Sequence, residues 1–164
     1  MRPASPLPDP DSPPWGGTLR VRSELWITGG QILHGDVHLQ HFASAHWGPE
    51  TVTDALERRD EFFPITTEDG QAMLIAKAQV LAVSVPLGAD PQDAERLSAA
   101  RPLKLTVELS DGSTHTGTVA CELPPHRSRT LDFLNHHSGF FPLRTADFVR
   151  YLNRSHVRVV TPLD

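Results

Sequence analysis

The sequence predicts an all-β protein made of two small five-stranded modules that follow one another along the chain. The first observation is an internal repeat: a fourteen-residue segment that starts at Asp54 recurs 78 residues later at Asp132, with six identical pairs and no gap. The second is an alternation of apolar and polar residues over 103–109, the period of a half-buried strand. The third is turn chemistry such as Asp111-Gly112, because glycine tolerates the positive φ of a tight turn. A repeat of this size indicates tandem copies of one supersecondary unit.

The repeat extends upstream and divides the chain into parts. Gly30 and Gly35 align with Gly112 and Gly117 at a separation of 82 residues, which places four extra residues in the first copy between 38 and 50. A surface loop accommodates such an insertion at small entropic cost. We therefore divide the chain into a proline-rich arm (1–17), module one (18–86), a linker (87–102) and module two (103–164). The identical pairs of the central segment are Asp54/Asp132, Leu56/Leu134, Phe62/Phe140, Phe63/Phe141, Pro64/Pro142 and Thr67/Thr145.

The elements of each module follow in one order. In module two the strand at 103–109 precedes a second strand that ends near Leu123, because Pro124 and Pro125 lack the backbone donor that a ladder needs. A short helical turn at 128–135 and strands at 140–145, 148–152 and 157–161 complete it. Module one has strands at 18–28, 31–40, 62–66, 72–76 and 80–85 and a helical turn at 52–56. This plan favours an SH3-like or Sm-like barrel, and a flat five-stranded sheet packed on its twin is the alternative.

Paired phenylalanines and a repeated aspartate predict the local packing. Adjacent residues of a strand point to opposite faces, so one ring of Phe62/Phe63 and one of Phe140/Phe141 should enter the core of its own module. The other ring needs cover, which we expect the neighbouring module to supply; an exposed docking patch for a partner is the alternative. Asp132 and its counterpart in module one stand at the start of a helical turn, where a carboxylate accepts backbone N–H bonds. We therefore expect a structural role for this aspartate.

The two segments outside the modules have distinct compositions. The arm holds six prolines and almost nothing to bury, so its composition predicts a disordered or extended segment, in which Trp15 is a candidate contact with a partner. In the linker, Asp90 is a good N-cap and Pro91 suits the first helical turn. A short helix that ends at Arg101-Pro102 should therefore join the modules as a semi-rigid spacer. The sequence contains neither the pattern of a signal peptide nor an 18-residue apolar run.

Composition and charge indicate the cellular compartment of the chain and the classes of partner that it could bind. The chain contains one cysteine, which excludes an internal disulfide and favours a reducing, cytoplasmic compartment. Cys121 itself should be a small buried side chain in the second strand of module two. A net charge of −5 argues against broad nucleic-acid binding. The charge is unevenly spread, since module one has five Arg/Lys against nine Asp/Glu, whereas 103–164 has seven against six and five histidines.

The search for catalytic or metal-binding patterns gives weak candidates only. His34 and His38 share a strand face, and a third ligand would have to come from His41 or His46. No cysteine pair or carboxylate at a characteristic spacing completes a metal site, so surface histidines are the favoured interpretation. No phosphate-binding glycine loop and no Ser-His-Asp order stands out. We therefore predict neither catalytic residues nor a cofactor.

A group of cations in module two is the other candidate for binding. A basic face that meets an acidic surface or a phosphate could be formed by His126, Arg127, Arg129, Arg144, Arg150, Arg154 and Arg158. Of these, Arg127, Arg129 and Arg144 are the arginines that we select as candidates. Ordinary solvated charges are the competing interpretation. With Trp15, Phe62 and Phe140, these arginines form our set of candidate partner-binding residues.

Module two also resembles a small bacterial β-domain of unknown function. The resemblance is carried by Arg129-Thr-Leu-Asp-Phe-Leu-Asn135, then Phe140-Phe-Pro-Leu143, then 151–157, over about 60 residues. In module one, Thr51 replaces the arginine and Glu57 the asparagine, so any role of these two residues should survive in module two alone. The resemblance implies a fold and carries no activity. The signature positions in the two modules are Asp54, Leu56, Phe63, Pro64, Asp132, Leu134, Asn135, Phe141 and Pro142.

These observations predict a non-enzymatic accessory subunit or adaptor that binds other protein subunits in a larger assembly. The duplicated β-module, the lack of a catalytic pattern and the proline-rich arm all favour this function. A complex at the cytoplasmic side of a membrane would be a compatible partner, although nothing in the chain itself enters a bilayer. The alternative is a module that senses a small anion or nucleotide through the basic face of module two.

Overall fold

Ten antiparallel strands and two short helices are present in the computed structural model, which describes residues 19–41, 48, 50–89, 98, 100–127 and 129–163. The all-β class predicted from the sequence is therefore confirmed. The arm, His46 and most of the predicted linker helix lie outside the described residues. The strands of module one are β1 (Leu19–Ile27), β2 (Gln31–Leu39), β3 (Phe62–Thr67), β4 (Ala72–Ala76) and β5 (Val80–Pro86), and those of module two are β6 (Arg101–Leu109), β7 (Thr114–Cys121), β8 (Phe140–Arg144), β9 (Phe148–Asn153) and β10 (Val157–Pro162). Helices α1 (Val52–Glu57) and α2 (Thr130–His136) each precede the third strand of their module.

The strands form one continuous sheet in the order β10-β6-β7-β8-β9-β5-β1-β2-β3-β4. Each module therefore has the same internal order, fifth-first-second-third-fourth, so that its fifth and its fourth strands are its two outer strands. The modules meet where β9 pairs with β5, from Ala82 opposite Leu152 to Pro86 opposite Phe148. Main-chain pairing thus fixes one module against the other, a junction that the sequence analysis did not predict.

Each module is curled, because the chain passes directly from its fourth strand to its fifth. β4 ends at Ala76 and β5 begins at Val80, so the chain between them spans at most about 14 Å. A flat sheet would hold these two strands, four spacings apart in the order, about 19 Å from each other. The same argument applies from Asn153 to Val157 in module two. Each module therefore bends into a barrel-like shape.

Matching close contacts occur between the second and third strands of the two modules. A Cβ built on Gly35 would lie 2.5 Å from the Thr66 carbonyl oxygen, and one built on Gly117 would lie 2.5 Å from the Arg144 carbonyl oxygen. No side chain fits at that distance from backbone. The glycine therefore allows the third strand to cross close to the second in both modules.

The aspartate that the sequence repeats caps a helix in both modules. Asp54 Oδ2 accepts the Thr51 N–H at 2.8 Å, and Asp132 Oδ2 accepts the Arg129 N–H at 3.4 Å. Thr51 completes a reciprocal capping box, because its Oγ1 accepts the Asp54 N–H at 3.2 Å. Arg129 has no acceptor on its side chain, and its Nε instead donates to Asp132 at 3.1 Å. The structural role expected for this aspartate is confirmed.

Two apolar clusters form the cores, and they exchange residues at the junction. Phe63 belongs to the module-one cluster and Phe141 to the module-two cluster, as predicted. Phe140 packs into the module-one cluster and is 7% exposed, so the neighbouring module covers it. Its counterpart Phe62 is 56% exposed. Inter-module cover, expected for both rings, is therefore present for one of them. Cys121 is buried in the module-two cluster, which agrees with the prediction.

Candidate functional site

A polar cluster centred on Arg150 occupies the junction between the modules. The guanidinium carbon of Arg150 lies 4.3 Å from the ring centroids of both Trp26, on β1, and Phe148. Arg150 Nε donates to Ser84 Oγ at 2.7 Å, and its Nη1 donates to His115 Nδ1 at 2.6 Å. Arg150 therefore contacts strands of both modules, through stacking with module-one Trp26 and through hydrogen bonds to β5 and β7.

The His115 ring is held in one neutral form by its neighbours. Its Nδ1 accepts from Arg150, so the proton is on Nε2, which donates to Ser113 Oγ at 2.9 Å. Ser113 in turn donates to Asp111 Oδ1 at 2.5 Å. Burial, with a smaller effect of the nearby Arg150 charge, lowers the pKa of His115 to about 4. The ring is therefore uncharged at neutral pH and serves as an acceptor for the half-buried guanidinium of Arg150.

A second set of hydrogen bonds joins the two 3-10 turns that follow β4 and β9. Asn153 Nδ2 donates to the Val80 carbonyl oxygen at 2.9 Å, and Asn153 is 5% exposed. His156 Nε2 donates to the Ala78 carbonyl oxygen at 2.7 Å. These bonds satisfy carbonyl groups of module one with side chains of module two, and they reinforce the strand pairing beside them.

An open groove of about 310 Å³ adjoins the Arg150 cluster, lined by residues of β1, β2, β5 and β9. Arg150 itself is bound by Ser84 and His115 and stacked between two rings, and Glu24 Oε1 accepts from Trp26 Nε1 at 2.5 Å. The polar groups of this cluster are thus used to join the modules. The arrangement supports a structural junction better than a reactive centre.

The module-one end of the sheet exposes large apolar side chains. Among the described residues, β4 pairs with β3 alone. Leu74 on β4 is 66% exposed, and Phe62 on β3 is 56% exposed. A groove of about 460 Å³, lined by residues 58–62 and 76–78, lies at Phe62. We call this surface, defined by Phe62 and Leu74, the β4 edge.

The module-two end exposes apolar side chains as well. Within the described ranges, β10 pairs with β6 alone. Val159 on β10 is 47% exposed and Leu131 on α2 is 60% exposed. Next to Val159 on β10, Arg158 Nη2 lies 3.4 Å from Glu108 Oε1 on β6. We call this surface, defined by Leu131 and Val159, the β10 edge.

The candidate partner-binding residues are not gathered into one surface. Phe140 is buried at the junction, whereas Phe62 is on the β4 edge. Arg127 is exposed on the 3-10 turn Pro125–Arg127, and Arg144 is half-buried at the end of β8. Arg129 is bound to Asp132. Trp15 lies outside the described residues. Of the remaining signature residues, Leu56 is buried, Pro64, Pro142 and Leu134 are half-buried, and Asn135 is exposed.

The histidines of module one lie in different surroundings. His38 is buried and its Nε2 lies 2.7 Å from Thr66 Oγ1. His34 is largely exposed, with its Nδ1 3.9 Å from Glu24 Oε2, and His41 is exposed. Within the described parts of the chain, no three His, Cys, Asp or Glu side chains lie close enough together to hold a metal ion.

The sequence assigned Arg150 to a basic face and did not indicate that it meets His115 and Trp26 at the centre of the junction. A signal was present in the repeat itself. Strand register aligns Arg150 with Met73 of module one, and the sequence alignment places His115 opposite Leu33. A polar residue of one module that aligns with an apolar residue of the other indicates a position where the two modules have different neighbours.

Comparison with protein-family models finds no match, and searches of curated proteins and of solved structures find none either. The resemblance of module two to a bacterial β-domain therefore stays a prediction. In the described segments, no helix has the length and apolar character needed to cross a membrane.

Proposed function

We propose that this chain is a non-enzymatic accessory or scaffolding subunit that binds other proteins through the two end strands of its sheet. The observation that supports the proposal is the exposure of Phe62 and Leu74 at one end and of Leu131 and Val159 at the other. Edge strands bind partners by main-chain pairing, while pockets beside them select side chains. Contiguous exposed apolar surface in a folded domain is typical of interaction sites.

The surroundings of the proposed surfaces agree with a protein partner. Each edge combines a strand that can accept a new neighbour with apolar side chains that contact with a partner would bury, at about 25 cal/mol per Å² of apolar area. The net charge of −5 argues against nucleic acid as the partner. The proposal includes a cytoplasmic location, supported by the single cysteine, and a membrane complex approached from that side is within its scope. It involves no cofactor.

Affinity purification of the tagged full chain from its native cell in mild detergent tests the proposal. Leu74→Lys and Val159→Lys each place a charge on one edge, and Ile32→Lys is the matched control, because Ile32 is 51% exposed on the interior strand β2. We expect partner chains in stoichiometric amounts with the wild type and the control, and their loss with one or both edge variants. Equal recovery with all four proteins would contradict the proposal.

The predicted alternative, a small-anion sensor, is separated from it by thermal shift. A sensor should be stabilised by its ligand at micromolar concentration, and Arg127→Ala should remove that effect. A subunit that binds proteins through its edges should show no such shift across a panel of nucleotides, phosphate and sulfate.

A further inference from the structure

The internal junction supplies a pattern for a contact between copies of the chain. At the junction, the fourth strand of module two, β9, pairs with the fifth strand of module one, β5. The strands left at the ends of the sheet are the fourth strand of module one, β4, and the fifth strand of module two, β10. One copy therefore presents, at its two ends, the same two kinds of strand that pair inside it.

The register of the two modules allows this correspondence to be made residue by residue. The 3-10 turns Lys77–Gln79 and Arg154–His156 occupy equivalent places after β4 and β9. The pairing of β1 with β5 shifts register at Trp26/Ile27, and the pairing of β10 with β6 shifts at the equivalent place, between Val157 and Val159. The junction pair Val83–Tyr151 therefore corresponds to a pair between Val160 and Leu74 of different copies.

Equivalent residues of the two modules differ most in burial where one of them lies at the junction and the other at an end of the sheet. On the fourth-strand side, Phe140 is 7% exposed and Tyr151 1% exposed at the junction, whereas their counterparts Phe62 and Leu74 are 56% and 66% exposed. The counterparts hold equivalent places in the strand register, and module one lies beside β9, whereas no described strand lies on the outer side of β4. The β4 edge thus exposes the apolar positions that the junction buries.

The opposite side shows the same contrast. Ala82 on β5 is fully buried, whereas its counterpart on β10, Val159, is 47% exposed. On helix α1, Thr53 lines a cavity together with Phe140 of the other module. The α2 residue at the position of Thr53 is Leu131, which is 60% exposed. Continuation of the sheet would therefore bring Leu131 of one copy towards Phe62 of the next.

We propose that a second copy of this chain occupies the β4 edge, with its strand β10 paired antiparallel to β4 and its helix α2 against Phe62. This inference rests on the proposed function, since it takes the edges as protein-binding surfaces, and it names the partner. The contact is heterologous, so repetition of it gives a closed ring or a filament, depending on the rotation between modules.

One position makes the contact between copies weaker than the internal junction. Leu81 lies at the strand irregularity of β5 and packs into the module-two core. The equivalent residue of β10 is Arg158, which is bound to Glu108. A charge on an edge strand opposes pairing with another chain. Arg158→Leu should therefore strengthen the association.

Native mass spectrometry and sedimentation velocity of the purified full chain test the proposal. We expect the wild type at high micromolar concentration to have a mass of two or more times the 18.1 kDa of one chain. Leu74→Lys and Val159→Lys should each be monomeric, and Ile32→Lys should associate like the wild type. An equimolar mixture of the two edge variants should stop at a heterodimer, because each variant retains one intact edge. Arg158→Leu should lower the concentration for half-association several-fold.

Other outcomes would overturn the proposal and identify what replaces it. A monomeric wild type would exclude the second copy, and loss of other partner chains from the edge variants in the affinity purification would still support the proposed function. Association abolished by one edge variant and unaffected by the other would indicate a symmetric contact between like edges and would refute head-to-tail pairing. Circular dichroism identifies an edge variant that does not fold. In that case Phe62→Asp blocks the β4 edge in place of Leu74→Lys, and Leu131→Asp blocks the β10 edge in place of Val159→Lys.

Discussion

The exchange of Phe140 into the neighbouring core predicts that two equivalent phenylalanines make unequal contributions to stability. Phe140 is 7% exposed and lies in the module-one cluster, whereas Phe62 is 56% exposed. Removal of a buried phenylalanine ring costs about 3–5 kcal/mol, through lost transfer free energy and the cavity left behind. Less than half of Phe62 is covered, so its removal should cost about 1 kcal/mol.

The assay is urea denaturation of Phe140→Ala and Phe62→Ala at low micromolar concentration, where association between copies does not contribute. The free energy of unfolding should fall by about 2–4 kcal/mol more for Phe140→Ala than for Phe62→Ala. A domain of this size should then show a melting temperature lower by roughly 10 °C for Phe140→Ala.

The shape of the transition gives a second readout of the same reasoning. Because Phe140 couples module two to the core of module one, its removal should separate the unfolding of the two modules. In a chain whose Trp15 and Trp47 are replaced by phenylalanine, tryptophan fluorescence reports Trp26 at the junction. This signal and far-UV circular dichroism should then no longer give coincident curves. Equal losses of stability in the two variants, with coincident curves in both, would refute the assignment of Phe140 as a ring shared between modules.

Three further predictions follow from the junction and the strand crossings. The pKa of His115 is lowered to about 4 from 6.5, so between these values the unfolded chain binds a proton that the folded chain does not. The free energy of unfolding should therefore be highest above pH 6.5 and fall by up to about 3 kcal/mol towards pH 4. In His115→Gln the urea midpoint should depend less on pH over that range, and an unchanged dependence would contradict the assigned neutral ring. Gly117→Ala should lower the free energy of unfolding by about 1–3 kcal/mol, because the added Cβ would lie 2.5 Å from the Arg144 carbonyl oxygen. A melting temperature equal to that of the wild type would show that β8 can move away from β7 and would contradict this prediction. Asn153→Ala should lower the free energy of unfolding by about 1–3 kcal/mol, because the Val80 carbonyl loses the Asn153 side-chain donor. Amide hydrogen exchange of β5 should then be faster than in the wild type. Equal protection of these amides in the two proteins would argue against the Asn153–Val80 hydrogen bond.

Local patterns were enough to predict most of the secondary structure and the packing inside each module. The alternation at 103–109 and the glycines of the turns predicted strands that the structure contains. The burial of Phe63 and Phe141 and the capping role of Asp132 also depend on residues close in sequence or on strand geometry. Such features are predictable because the interactions that produce them are mostly local.

The junction could not be predicted in the same way. Phe62 and Phe140 are each followed by Phe-Pro and an aliphatic residue. Their exposure differs because one lies at an end of the sheet and the other beside a second module. Arg150 reads as a solvated strand residue until Trp26 and His115, which are distant in sequence, are brought against it. The choice of β5 as the partner of β9 is a long-range event, and no periodicity in either strand specifies it.

A cross-link between copies tests the continuation of the sheet most directly. In the chain carrying Leu74→Cys and Val160→Cys, the two cysteines would lie on paired positions of β4 and β10 of adjacent copies, within the distance that a disulfide spans. Mild oxidation should give a ladder of covalent multimers on a non-reducing gel, and a mixture of the two single variants should give dimers only. The wild type, whose single Cys121 is buried, should give neither. A double variant that stays monomeric under oxidation would contradict the head-to-tail pairing of β4 with β10.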